Sequence, residues 1–222
     1  MSGDERQVTV SPTLDTTARG RYRAHYLEGM SMRVVLLGAP GSGKGTHGRR
    51  IAERYGIPYL STGELLRRHI SDGTELGKAV QPYVYRGDLV PDELILSGVL
   101  SELQEQRTRA GYILDGFPRT LSQAMAADQA MNTDGIADAV VFLDVPQDEL
   151  LYRIHERARQ SGRTDDQSDA VISRRMAEFA AKTLPVRDYY ERRGFLRPVD
   201  AVGSVDEVTG RILAALDELS TA

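Results

Sequence analysis

Short, continuous apolar runs alternate along this chain with longer stretches in which apolar residues return every three or four positions. Val34-Val35-Leu36-Leu37, Tyr112-Ile113-Leu114 and Val140-Val141-Phe142-Leu143 are runs of the first kind. Apolar on consecutive positions, they fit strands buried on both faces. Pro58 to Leu60 and Phe195 to Val199 are shorter strand candidates. Lys44 to Tyr55 has helical periodicity. Ser61-Thr62-Gly63-Glu64 reads as a capping box, in which serine accepts from a free N–H and glutamate reaches back. Pro91, tolerated in a first turn, opens a helix expected to run to about Thr108. Ser204-Val205-Asp206-Glu207 is a second capping box ahead of the last helix. Five strands separated by helices predict an α/β fold with a parallel sheet flanked by helices.

Residues 1 to 31 carry neither periodicity. They read as a disordered N-terminal extension, or as sequence ahead of a start at Met30 or Met32, which leaves 32–222 as one domain. The chain shows no internal repeat.

Composition narrows the function classes. The 222 residues carry 28 Lys plus Arg against 32 Asp plus Glu. A net charge of −4 argues against a nucleic-acid binder or a membrane-surface protein. The absence of cysteine removes disulfides, thiolate nucleophiles and Cys-ligated zinc. No apolar run approaches the roughly 20 residues a bilayer requires, and the first thirty residues lack a signal-peptide core. A soluble, cytoplasmic protein is expected. The cations are 25 arginines and only three lysines, Lys44, Lys78 and Lys182. In so arginine-rich a chain, a lysine at a special position points to a task that a guanidinium performs poorly.

One lysine occupies such a position. Gly38-Ala39-Pro40-Gly41-Ser42-Gly43-Lys44-Gly45-Thr46 contains G-x-x-x-x-G-K between a buried strand and a helix, with one glycine inserted before the threonine. Glycines let successive N–H groups of a P-loop converge on a phosphate, and the helix start adds its positive end. The loop predicts a nucleoside triphosphate site made by Gly41, Ser42, Gly43, Lys44, Gly45 and Thr46.

With this loop, the stretches Leu60-Ser61-Thr62-Gly63-Glu64-Leu65-Leu66-Arg67, Gly87-Asp88-Leu89-Val90-Pro91-Asp92-Glu93 and Asp115-Gly116-Phe117-Pro118-Arg119-Thr120 resemble the adenylate kinase family. The likeness continues through Gly162-Arg163-Thr164-Asp165-Asp166 to Asp200-Ala201-Val202-Gly203 and covers residues 33 to 220 in order. It implies a P-loop nucleoside kinase that transfers the terminal phosphoryl group of Mg·ATP to AMP. Such chemistry joins two polyanions and asks for positioning and charge neutralisation rather than a strong base.

The resemblance also implies roles. Arg67 and Arg119 match acceptor-phosphate arginines, whereas Arg157, Arg163 and Arg174 match those closing on the transferring group. Arg153 fits the triphosphate side of ATP, and Gly203 a position whose backbone meets the ATP adenine. Thr62, the backbone of Asp88, Leu89 and Val90, the Gly116-Phe117-Pro118 turn and Gln123 fit the AMP side. Thr62, Thr120 and Gln123 favour AMP over UMP or CMP. Asp115 matches an acid that holds Mg²⁺ through water; by strand pattern alone, Asp144 is an equal candidate. Residues 62–90 are expected to be one helical stretch that closes over AMP, and 157–166 to form a short lid without zinc. Asp165 and Asp166 read equally as helix-start acids or as catalytic groups. Arg175 is expected at the surface, His47 on an exposed helix face, and the protein as a monomer.

Overall fold

The computed structural model describes residues 32–103, 108, 110–131, 135–161 and 168–218. The expectations for residues 1–31, and for Arg163, Asp165 and Asp166 of the lid, lie outside that set.

The apolar runs become β1 (Met32–Gly38), β3 (Gly111–Asp115) and β4 (Ala139–Asp144), joined by β2 (Tyr59–Ser61) and β5 (Leu196–Asp200). They form a five-stranded sheet in the order β2-β3-β1-β4-β5, with every pairing parallel. β1 pairs with Asp115 through Leu36 on one side and with Leu143 through Gly38 on the other. The C-terminal ends of all five strands therefore share one edge. From there β1 sends its connection toward β2 and β4 sends its own toward β5. A crevice opens where adjacent strands diverge in this way.

Helix α1 (Lys44–Tyr55) follows β1. The expected helical stretch 62–90 is two helices, α2 (Thr62–Ser71) and α3 (Glu75–Arg86), split by a turn capped by Thr74, whose side chain accepts from Gly77 N–H at 3.1 Å. α4 (Asp92–Leu103) begins one residue after Pro91. α5 (Leu121–Ala130), α6 (Gln147–Ser161), α7 (Asp169–Glu178), α8 (Leu184–Arg192) and α9 (Val205–Asp217) complete the helices. A π-helical turn, Phe179–Thr183, links α7 to α8. No helix of the described residues is long and apolar enough to cross a membrane.

Of the two expected capping boxes, Ser204 and Glu207 make both halves. Ser61 accepts from Glu64 N–H, but the Glu64 carboxylate pairs with Arg49 instead of reaching back.

One core lies between the sheet and α4, α5 and α8, while Val34, Leu36, Ile51, Val141, Leu143, Ile154 and Ile212 are equally buried outside it. That core joins Val35, Leu37, Tyr112, Leu114, Val140 and Phe142 to Val99, Ala124, Val186 and Tyr190. Leu66 of α2 and Val80 of α3 form a separate cluster with Val90, which follows α3. The segment thus has a small core of its own beside the sheet.

Candidate active site

α1 opens without a side-chain cap, because Gly43 at its N-cap is in the left-handed region (φ 92°). A β-carbon at Gly41 (φ +87°) would stand 2.8 Å from the Leu150 carbonyl oxygen. Both positions therefore require glycine, and the first N–H groups of the helix stay available to an anion. Lys44 Nζ donates to the carbonyls of Gly38 at 2.6 Å and Ala39 at 3.0 Å. Burial lowers its pKa to about 8; Asp115 opposes the shift and Arg119, Arg175 and Arg157 add to it. Ser42 is fully buried beneath the loop.

Above the loop opens a cavity of about 720 Å³. Gly41, Gly43, Lys44, Gly45, Thr46, Arg153, Arg157 and Gly203 line it, as do Asp115, Pro118, Arg67 and Arg119. Arg153 and Arg157, one turn apart on α6, both reach it. Arg153 is fixed by Glu149 (2.7 Å) and by the Ala201 carbonyl (3.0 Å). A second cavity of about 80 Å³ lies against α2 and α3, lined by Thr62, Arg67, Asp88, Leu89, Val90, Gly116, Arg119 and Gln123. Arg67, Arg119 and Arg175 line both.

Several side chains differ from their sequence reading. Arg174 lines neither cavity; it is exposed and pairs with Asp88, which Arg86 also holds at 2.8 Å. Those hydrogen bonds, the one from Arg86 foremost, keep the Asp88 carboxyl below its ordinary pKa. Arg175, expected at the surface, is half-buried and faces the site. Phe117 lies in the core rather than at a cavity wall. Asp144 is exposed and lines neither cavity, whereas Asp115 lines the large one.

His47, expected on an exposed face, is 4% exposed, and α9 is the reason. The hydroxyl of Thr209 donates to Val205 C=O at 2.7 Å and so offers a lone pair to His47 Nδ1, 3.0 Å away. That assigns the proton to Nδ1. Burial, with Arg153 and Arg50 nearby, lowers the imidazole pKa to about 4.

Two further residues, which the sequence placed in a family stretch and in a strand but gave no role, join the site. Asp92 at the start of α4 accepts from Gln123 Nε2 at 2.6 Å, while Gln123 Oε1 accepts from Arg119 N–H at 2.7 Å. Tyr59 on β2 donates to Asp115 Oδ2 at 2.6 Å. Burial and the Asp115 charge raise the phenol pKa well above its usual value, so the O–H stays protonated. From the π-helical turn, Thr183 donates to the Arg119 carbonyl at 3.0 Å, bracing the loop that carries Arg119.

A parallel α/β sheet with a P-loop at its switch point and an arginine-lined cleft beyond it defines a nucleotide-binding phosphotransferase of the P-loop class. The family model for adenylate kinase matches residues 36–195. An adenylate kinase of Mycolicibacterium paratuberculosis is 49% identical over 186 residues, which is 83% of this chain and 99% of that protein. Adenylate kinases of Thermus thermophilus (48% over 184 residues, 82% and 96%) and Thermobifida fusca (46% over 186 residues, 83% and 98%) are similarly close. The chain belongs to the adenylate kinase family, and it is an enzyme of that family.

Proposed function

We propose a residue-level assignment for the reaction of this family, Mg·ATP + AMP to two ADP and its reverse. Lys44 and the N–H groups of residues 41–46 hold the ATP phosphates. Arg153 adds to the triphosphate side, and the backbone at Gly203 meets the adenine. Arg67 and Arg119 hold the AMP phosphate. Arg157 and Arg175, joined by Arg163 from the lid, neutralise charge on the transferring group. Arg175 thus takes the role expected of Arg174. The observation that carries this reading is the shared wall: Arg67, Arg119 and Arg175 stand where the P-loop cavity and the α2–α3 cavity meet. A phosphoryl group crossing between two nucleotides would pass there.

The donor chemistry around Asp115 fits Mg²⁺. Among the described residues its Oδ2 accepts from Tyr59, and a single carboxylate suits an ion that keeps most of its water and takes phosphate oxygens as ligands. When bound, Mg²⁺ offsets charge on the terminal phosphates. No structural zinc is called for.

On the acceptor side, Thr62, the backbone of residues 88–90 and Gln123 favour AMP. Gln123 is held in place by Asp92 and Arg119 N–H. Residues 62–90 and 157–166 close over the two nucleotides and exclude water. The extension 1–31 is dispensable, and the enzyme acts as a cytoplasmic monomer without nucleic-acid or membrane partners.

The test is ADP formation from Mg·ATP with AMP, UMP, CMP and GMP in turn, on the full chain and on a protein starting at Met32. AMP-dependent turnover by both is expected, as is a loss of at least about a hundredfold for Arg175→Ala against a small effect of Arg174→Ala. Turnover with no acceptor would overturn the reading; equal losses for the two variants would overturn the Arg175 assignment.

A further inference from the structure

Asp115 and Lys44 stand on the same cavity wall, close enough that the Asp115 charge acts on the lysine. Yet the two do not pair. Lys44 Nζ is turned back onto the carbonyls of Gly38 and Ala39. The Asp115 carboxylate is instead held by the Tyr59 hydroxyl, at 2.6 Å.

The phenol reaches that position because three neighbours confine it. α1 presents Gly48 to the ring, where a β-carbon would fall 2.5 Å from Tyr59 Cε2. The Arg49 guanidinium covers the ring face, 5.0 Å from its centroid. Arg49 is itself fixed by the Gly45 carbonyl (3.1 Å) and by Glu64. Below, β2 pairs Ser61 with Asp115, so Tyr59 and the carboxylate ride on adjacent strands of one sheet. A tyrosine so clamped does not swing away, and its hydroxyl donates along one direction.

We infer that Tyr59 is a positioning residue for the metal: by holding Asp115 Oδ2, it keeps the carboxylate from collapsing onto Lys44 and directs Oδ1 at the Mg²⁺ that accompanies ATP. This rests on the assignment of Asp115 to Mg²⁺. Without the clasp the carboxylate is open to the Lys44 ammonium, on which its charge already acts. Their pairing would withdraw one group from the metal and the other from the phosphates.

The experiment measures binding without turnover, by titration calorimetry of ATP with Mg²⁺ and with EDTA, in the absence of AMP. The quantity read is the ratio of the two dissociation constants, the gain in affinity that the metal confers. Tyr59→Phe keeps the ring and removes the hydroxyl. It is expected to cut that gain about tenfold, with affinity for metal-free ATP changed less than twofold. Asp115→Asn is expected to abolish the gain, and adding Tyr59→Phe to it should change nothing further.

A Tyr59→Phe protein with undiminished metal gain overturns the inference while leaving the Asp115 assignment standing, provided Asp115→Asn loses the gain. An effect of Tyr59→Phe that persists in the Asp115→Asn background also overturns it, since Tyr59 would then not act through Asp115. An undiminished gain in Asp115→Asn overturns both.

Discussion

His47 is a residue whose chemistry is set largely by distant parts of the chain, Thr209 on α9 and Arg153 on α6 among them. In the unfolded chain its imidazole titrates near 6.5; in the fold, burial against α9 lowers this to about 4. Between those values the unfolded state binds a proton that the native state refuses, so stability falls as pH drops from 6.5 toward 4. His47→Gln removes that linkage. Urea unfolding of both proteins at pH 7 and pH 5 should show the parent losing roughly 1–2 kcal/mol more than the variant over this interval. Equal losses would contradict the buried, neutral imidazole. Arg174 and Arg175 teach a related lesson. Adjacent on one helix, they point about 100° apart. A residue-type pattern cannot choose between them; the seating of α7 turns Arg175 into the cleft and leaves Arg174 to Asp88.

At the scale of elements, α1 must lie close to β1 and β2 for the P-loop to hold its shape. Gly48 permits that approach: a β-carbon there would meet Tyr59 at 2.5 Å and Leu36 Cδ1 at 2.8 Å. In an exposed helix interior Gly→Ala would gain about 1 kcal/mol. Here the overpacking should win, and Gly48→Ala is expected to destabilise by about 1–3 kcal/mol in urea unfolding. A more stable variant would show that the helix does not press on the sheet as described. The sequence carried the five strands and α1 within a residue or two and the starts of α2, α4 and α9, because continuous apolar runs and caps are local signals; it set no bounds on α5 to α8. It missed the turn at residues 72–74, since the helical period resumes beyond it, and it missed the π-helical turn after α7, which has no periodicity of its own.

For the molecule as a whole, the parallel sheet is the fixed frame, and the α2–α3 segment, with its separate cluster of Leu66, Val80 and Val90, stands beside it. A unit with a core of its own can move as a body, the pattern of hinge closure around ligands. Hydrogen–deuterium exchange with and without a bisubstrate analogue should show protection gained in residues 62–90 and 157–166 on binding, while β1, β3 and β4 stay unchanged. Identical exchange in both states would rule out closure of these segments.

Taken by itself, the sequence determined the α/β class, the P-loop and the stretches that carry the family likeness, because each is a local pattern read within ten or so residues. It also named Asp115, Arg67, Arg119, Arg153 and Arg157, all of which the fold brings to one cleft. The tertiary structure decided which of two neighbouring arginines enters that cleft, that His47 is buried, and that Tyr59 and Asp92 hold Asp115 and Gln123. These are contacts between elements far apart in the chain. They depend on strand order and helix rotation, which spacing along a sequence does not encode.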